Sequence, residues 1–102
     1  MAKVYAMYKT PTDPAAFEHY YFDRHVPLAK TIPGLRGYEV TRGPIAAMAG
    51  PAPYHLIATL TFDSRAAIDA ALVSAQGQAI AADLGNFATG GVDVLIADKA
   101  VV

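Results

Sequence analysis

Three histidines, six tyrosines and no cysteine make up most of the chemistry-bearing side chains of this 102-residue chain. Without a thiol there is no cysteine nucleophile, disulfide framework or cysteine zinc site, a composition that suits a reducing compartment. His19 and His25 are six residues apart, which on a helix at about 100° per residue separates them by about 120°, whereas two helical metal ligands want i and i+4. They do not share a metal. His19 falls with Glu18 and Asp23 on a polar side and reads as a surface residue. His25 falls at the edge of an arc of Phe17, Tyr21 and Leu28, aimed between helix and sheet. An imidazole with an ordinary pKa of about 6.5 is a general acid or base near neutrality once it meets a ligand. The same placement also suits a buried neutral imidazole bonded to a backbone carbonyl freed by Pro27. Tyr20 and Tyr21 flank the arc, and each offers an apolar ring with a polar tip that orients a ligand or fills the core. Arg24 also projects toward the arc on an ideal wheel, where it snorkels outward, pairs with Glu39 or holds an acidic substrate. His55 heads a strand on the side opposite Leu56 and Leu60, at a subunit seam or a pocket mouth. Phe17, Arg24 and His55 are the ligand-contact candidates beside a catalytic set of His25, Tyr21 and Tyr20.

No G-x-G-x-x-G, G-K-[ST], G-x-S-x-G or H-E-x-x-H run is present, so nucleotide cofactors, serine hydrolysis and zinc-protease chemistry lack support and a cofactor-free pocket remains. Eight basic against nine acidic residues leave a net charge of −1, no footprint for nucleic acid or an anionic membrane. No stretch approaches the roughly 20 apolar residues of a membrane span, and Met1 to Tyr5 is no apolar leader. The expectation is a cytoplasmic, single-domain protein over residues 1–102 that meets a small hydrophobic molecule.

The elements that position these groups follow from punctuation and period. Lys3 to Thr10 reads as a strand closed by a Pro-rich turn. Asp13 then caps a helix with Pro14 in its first position, running through Ala15 to Ile32 with a bend or break near His25 and Val26 imposed by Pro27. Leu35 to Arg42 is a second strand, Gly43 to Pro53 a long Gly- and Pro-rich hairpin connection, and Tyr54 to Phe62 a third strand. Tyr54, Leu56, Ala58, Leu60 and Phe62 are read on one side of it and His55, Ile57, Thr59 and Thr61 on the other. Asp63 is assigned as cap of a second helix from about Ser64, with Ile68, Ala71, Leu72 and Ala75 inward, Gly77 as a weak point and Ser74 re-capping a last turn. Val92 to Ala97 is the final strand. The order βαββαβ is that of an α+β ferredoxin-like fold, a four-stranded antiparallel sheet with two helices on one face. The first, third and last strands are apolar on both sides, so the helix-free face needs a cover. With no spare element in the chain, a second copy packed sheet on sheet supplies it, giving a homodimer.

The stretches Phe17 to Tyr21, His25 to Ala29, Pro33 to Leu35, Tyr38 to Val40, Pro53 to His55, Phe62 to Ser64 and Asp83 to Phe87 together resemble the EthD family. The F-x-x-Y-Y-x-x-x-H-x-P-L run is the specific part. The resemblance implies the dimeric α/β barrel of ferredoxin-like subunits and an association with ethyl tert-butyl ether degradation beside an oxidising cytochrome system. Similar barrels include lactone isomerases, polyketide cyclases and fungal dehydratases or decarboxylases. Carried over residue by residue, it marks Tyr20, Tyr21 and His25 as pocket residues, and Asp83 and Asn86 as the end of the second helix, with capping and catalysis both open. Gly85 departs from the proline common in relatives. Two functional expectations result: a cofactor-free isomerase or lyase, or an oxygenase accessory, in the catabolism of an ether, lactone or aromatic compound; or a non-catalytic module holding a hydrophobic ligand or haem, with His25 or His55 as axial ligand.

Overall fold

A computed structural model describes all 102 residues. The strands are β1 (Ala2–Lys9), β2 (Gly37–Val40), β3 (Tyr54–Phe62) and β4 (Val92–Asp98). The helices are α1 (Pro14–Tyr20), α2 (Val26–Ala29), α3 (Arg65–Val73) and α4 (Ala75–Asp83). The strands form one antiparallel sheet in the order β2-β3-β1-β4. This is the ferredoxin-like topology that the order of elements implies, with the helices on one face.

The Asp13 carboxylate accepts from the Ala16 N–H at 3.1 Å, and Pro14 takes the first helical position, where its missing N–H costs nothing. Pro27 has no N–H to bond the carbonyl four residues earlier. The helix does not break there. Instead it widens into a π turn over Tyr21–His25, with the Val26 N–H bonded to the Tyr21 carbonyl. Arg24 sits about 60° from Tyr21 on an α-wheel. The wider turn advances less per residue and carries Arg24 further round, so it is exposed, with no carboxylate of Glu39 or any other residue in ion-pair range.

In the second helical segment the cap is Ser64, whose hydroxyl accepts from the Ala67 N–H, while Asp63 takes a two-point pair from Arg36 at 3.1 and 3.0 Å. Extended backbone at Ser64 (φ −159°) puts the cap one residue later than Asp63. Ser74 is extended too and its hydroxyl accepts from the Gly77 N–H, so the segment is two nine-residue helices rather than one helix with a last turn. The break leaves Ile68 and Ala71 buried but Leu72 and Ala75 exposed, short of the inward face expected for all four. Gly77 is buried in the corner, and a Cβ there would stand 2.1 Å from the Ala71 carbonyl oxygen. The missing side chain, rather than a weakening of the helix, is what lets the two helices close on each other.

Along β1, Ala2, Val4, Ala6 and Tyr8 are buried beneath the helices, while Lys3, Tyr5 and Met7 face the other way. A register shift between Tyr8 and Lys9 pairs Tyr8 with Leu56 and Lys9 with Tyr54, leaving His55 as the extra residue of a bulge. This corrects the two-sided reading of β3 at its first two positions. Tyr54 bonds Asp93 from the open face at 3.0 Å, and His55 turns to the helices, 5.1 Å from the Phe17 ring. The open face carries Tyr5, Met7, Ile57, Thr59 and Leu95, and no element of the chain lies over it.

Candidate functional site

Beneath the helices, one core cluster gathers Tyr8, Phe17, Tyr21, Leu56 and Phe87, and a second gathers Val4, Ile32, Phe62 and Ile68. Between sheet and helices lies a cavity of about 310 Å³, at the small end of the roughly 300–1,000 Å³ typical of small-molecule sites. Fifteen of its 17 lining residues are hydrophobic. The polar groups that reach it are His25 and the phenols of Tyr8, Tyr21 and Tyr38. Pro27 and the π turn bring two of these together, His25 lying beside Tyr21 with ring centres 5.5 Å apart and planes tilted by 31°.

His25 is 3% exposed. Its Nδ1 lies 2.9 Å from Asp83 Oδ2, so its buried partner is a carboxylate at the end of α4, not a carbonyl freed by Pro27. The other Asp83 oxygen accepts from the Tyr20 hydroxyl at 2.6 Å and from the Asn86 amide at 2.9 Å. Burial pushes Asp83 upward, but these hydrogen bonds outweigh it and hold the group below the ordinary carboxylate range, ionised at neutral pH. Burial lowers His25 against the raising influence of the Asp83 bond, so the imidazole is neutral there. A neutral ring beside an ionised carboxylate places its one proton on Nδ1, donated to Asp83, and leaves Nε2 as a lone-pair acceptor. Nε2 makes no hydrogen bond within the chain, and it is not a sealed atom: the one fully buried side-chain nitrogen or oxygen without a hydrogen bond is Nε2 of His55, which has only a poorly aligned approach to the Glu18 carboxylate.

Burial raises all three phenols, and Tyr21 also bonds Tyr38 at 2.7 Å between hydroxyl oxygens. They are proton donors at any physiological pH, not bases. The arrangement thus brings an acceptor nitrogen set in tautomer by a carboxylate and neutral phenols into the lining of one apolar hollow, the groups that can take a proton from carbon or oxygen and support the resulting oxyanion.

The other candidates sit elsewhere. Tyr20 is stacked on Phe87 and its hydroxyl reaches Asp83 from behind, outside the cavity. Phe17 is 2% exposed and packs against Tyr8, Tyr21, Phe87 and His55 without lining the cavity. His55 lies with Glu18 beside a separate surface cleft under the Gly43 to Ile45 segment, its Nε2 3.3 Å from the Glu18 carboxylate. His19 is exposed and faces Asp23. Residue spacing passed over Tyr38, Tyr8 and Phe87. Tyr38 carries a visible signal, an aromatic on the helix-facing side of β2, and Phe87 follows Asp83 within the run that ends the second helix.

The pH dependence of folding has a definite sign. A His25 pKa lowered in the folded state means that the unfolded chain takes up a proton first as pH falls below about 6.5. Stability from this group is complete above that pH and declines below it. Asp83, depressed when folded, contributes fully above about 3.8 and is lost under stronger acid. Urea midpoints measured between pH 5 and 8 fall toward pH 5, and His25→Gln flattens that decline.

The EthD domain matches residues 9–91. The chain belongs to the EthD family. It is 39% identical over 103 residues to a Rhodococcus erythropolis protein of 11.0 kDa from the thcB–thcC intergenic region, covering 100% of this chain and 98% of that one. Among solved structures, an ethyl tert-butyl ether degradation (EthD) family protein from Bacillus halodurans superposes with a TM-score of 0.90 at 31% identity over 98% of this chain and 99% of that chain. A dimeric ferredoxin-like protein from Thermobifida fusca shares the fold, with a TM-score of 0.70 at 13% identity over 96% and 90% of the two chains. Among helices of this EthD chain, none is long and apolar enough to cross a membrane.

Proposed function

We propose that this EthD protein is a cofactor-free proton-transfer catalyst of small-molecule catabolism, acting on an ether-, lactone- or aromatic-derived compound in the cavity between sheet and helices. The observation that carries this reading is the free Nε2 of His25, held as an acceptor by the Nδ1–Asp83 bond and opening on an apolar hollow ringed by phenols. In the proposed step a C–H or O–H bond of the ligand breaks, and its proton passes to Nε2. The electron pair moves onto a ligand oxygen, and the proton is returned at the same or a different atom. Isomerisation needs nothing more, and elimination of a leaving group beta to the ligand's carbonyl uses the same base and oxyanion support, the leaving group departing with the electron pair of its own bond. Asp83 is a positioning residue, as are Tyr20 and Asn86 through it. Deuterium uptake beside the carbonyl of cyclic ketones and lactones in D2O, followed by proton NMR, tests the reading. Catalysed exchange that disappears in His25→Gln supports it, while binding without exchange favours a carrier of hydrophobic ligands instead.

The working unit in this proposal is a cytoplasmic homodimer. The open face presents Tyr5, Met7, Ile57 and Leu95, and Leu95 alone is 54% exposed, a burden that a second copy relieves sheet to sheet. The T. fusca neighbour of the same fold, described as dimeric, supports this. Sedimentation equilibrium is expected to give twice the chain mass of 10.7 kDa at micromolar concentration, and Ile57→Glu is expected to halve it by placing a charge at the seam.

A further inference from the structure

We infer that the cavity is built for an uncharged carbonyl compound, whose oxygen accepts a hydrogen bond from the paired phenols of Tyr21 and Tyr38 while an adjacent C–H faces Nε2 of His25. This inference names the substrate class of the site and rests on the proton-transfer reading.

Donors outnumber their partners in the cavity wall. Two phenols carry two hydroxyl hydrogens, and the single bond between Tyr21 and Tyr38 uses one of them whichever ring donates. Neither hydroxyl has any other partner within the chain, so one O–H is left over. Both residues line the cavity, and since Tyr21 is fully buried while Tyr38 is half-buried, the O–H left over falls to Tyr38, with Tyr21 donating to it from behind. The neighbouring Tyr8 hydroxyl also has no partner, and since it is not a sealed atom it reaches the same space. Phenol oxygens accept as well as donate, but the one cavity group that accepts without being able to donate is Nε2 of His25. A ligand that satisfies this set brings an acceptor oxygen for the phenols and a transferable hydrogen for the imidazole, the two features that adjoin each other in an enolisable ketone or lactone. Bonded phenol pairs are also stronger donors than single ones, because each hydrogen bond polarises the next.

Charge selects further. No lysine or arginine lines the cavity, so a carboxylate or phosphate entering it would give up its water without a counter-ion, and the ionised Asp83 behind His25 repels it. Arg24, which could have held an acidic substrate, is exposed and outside the lining. A cationic ligand meets the opposite defect: no carboxylate lines the cavity, Asp83 being engaged by Tyr20, Asn86 and His25. The uncharged form is the one that keeps its hydrogen bonds when it leaves water.

Three probes of similar size separate these effects: α-tetralone (an enolisable ketone), tetralin (the same rings without oxygen) and α-naphthoate (an anion). Titration of the wild-type protein, followed by calorimetry and NMR, is expected to show α-tetralone bound at least about tenfold more tightly than α-naphthoate. Tyr38→Phe and Tyr21→Phe weaken α-tetralone by about threefold to tenfold, the worth of one neutral hydrogen bond, and leave tetralin unchanged. Equal or tighter binding of α-naphthoate, or ketone affinity indifferent to both phenylalanine variants, overturns the inference. Because the variants are nearly isosteric, an unchanged tetralin affinity also certifies an intact cavity. The two readings fail separately: ketone selectivity without any deuterium exchange refutes the proton transfer and keeps the ligand class, whereas exchange on a ligand indifferent to Tyr21 and Tyr38 does the reverse.

Discussion

Replacing His25 by glutamine is expected to lower ketone or lactone turnover by about a hundredfold to ten-thousandfold while leaving a folded protein, the range over which a positioned general base acts. Glutamine fills similar space and its amide still donates to Asp83, so the bond that ties the π turn to the end of α4 survives. What is lost is the second nitrogen, an acceptor on the far side of the ring from the carboxylate. The rate of the unaltered protein is expected to rise with pH along a single limb below about 6.5 and to level off above it, since burial holds the imidazole neutral at lower pH than a free histidine. Asp83→Asn gives a companion result with a distinct signature. The asparagine amide can donate to Nδ1, which moves the ring proton to Nε2 and removes the base, so the plateau falls. Loss of the carboxylate also removes the influence that raises His25, so the remaining limb moves to lower pH. A merely structural Asp83 would change stability and leave the limb where it was. Initial rates of deuterium uptake across pH 5–8 check all three proteins.

Truncation of Phe87 to alanine is expected to cost about 3–5 kcal/mol of stability, the usual range for deleting a buried aromatic ring. Phe87 is 4% exposed and its ring lies within 4.7 to 5.7 Å of five others: His25, Tyr8, Phe17, Tyr20 and Tyr21. Every aromatic ring named as a site candidate on the first helical segment leans on it. The void would remove dispersion contacts from all of them at once and loosen His25. Phe87→Leu retains most of the packing and is expected to cost far less. Urea titration at one fixed protein concentration reads both, since an associating chain gains stability with concentration, and a reduced midpoint at unchanged slope identifies a true loss of stability. A loss under about 1 kcal/mol for the alanine variant would show that the five rings close over the gap.

Much of the architecture was written in local patterns. Turn punctuation and strand alternation define four strands and the helical segments in the right order, and the topology follows because so few arrangements connect βαββαβ without crossings. Two-sided apolar strands mark the uncovered face, and a proline after a helical histidine marks a disturbed turn. The identity of that disturbance was decided in three dimensions. Whether a helix facing Pro27 kinks or widens depends on what packs against it, and here a π turn keeps both Tyr21 and His25 against the core while turning Arg24 outward. The bulge that swaps Tyr54 and His55 between faces is likewise a matter of strand register, invisible in an alternating pattern.

Helical spacing put His25 at the edge of the inward arc, where a base and a structural imidazole both stayed open, and the family resemblance marked it as a pocket residue. Spacing could not name its partner: Asp83 is 58 positions away, and local periodicity says nothing about which distant side chain a fold will bring to 2.9 Å. The sequence therefore determined the elements, their order and the candidate base. Tertiary packing alone decided the tautomer of that base, the phenols that face it and the size of the hollow between them, because these depend on contacts between segments that no local preference encodes.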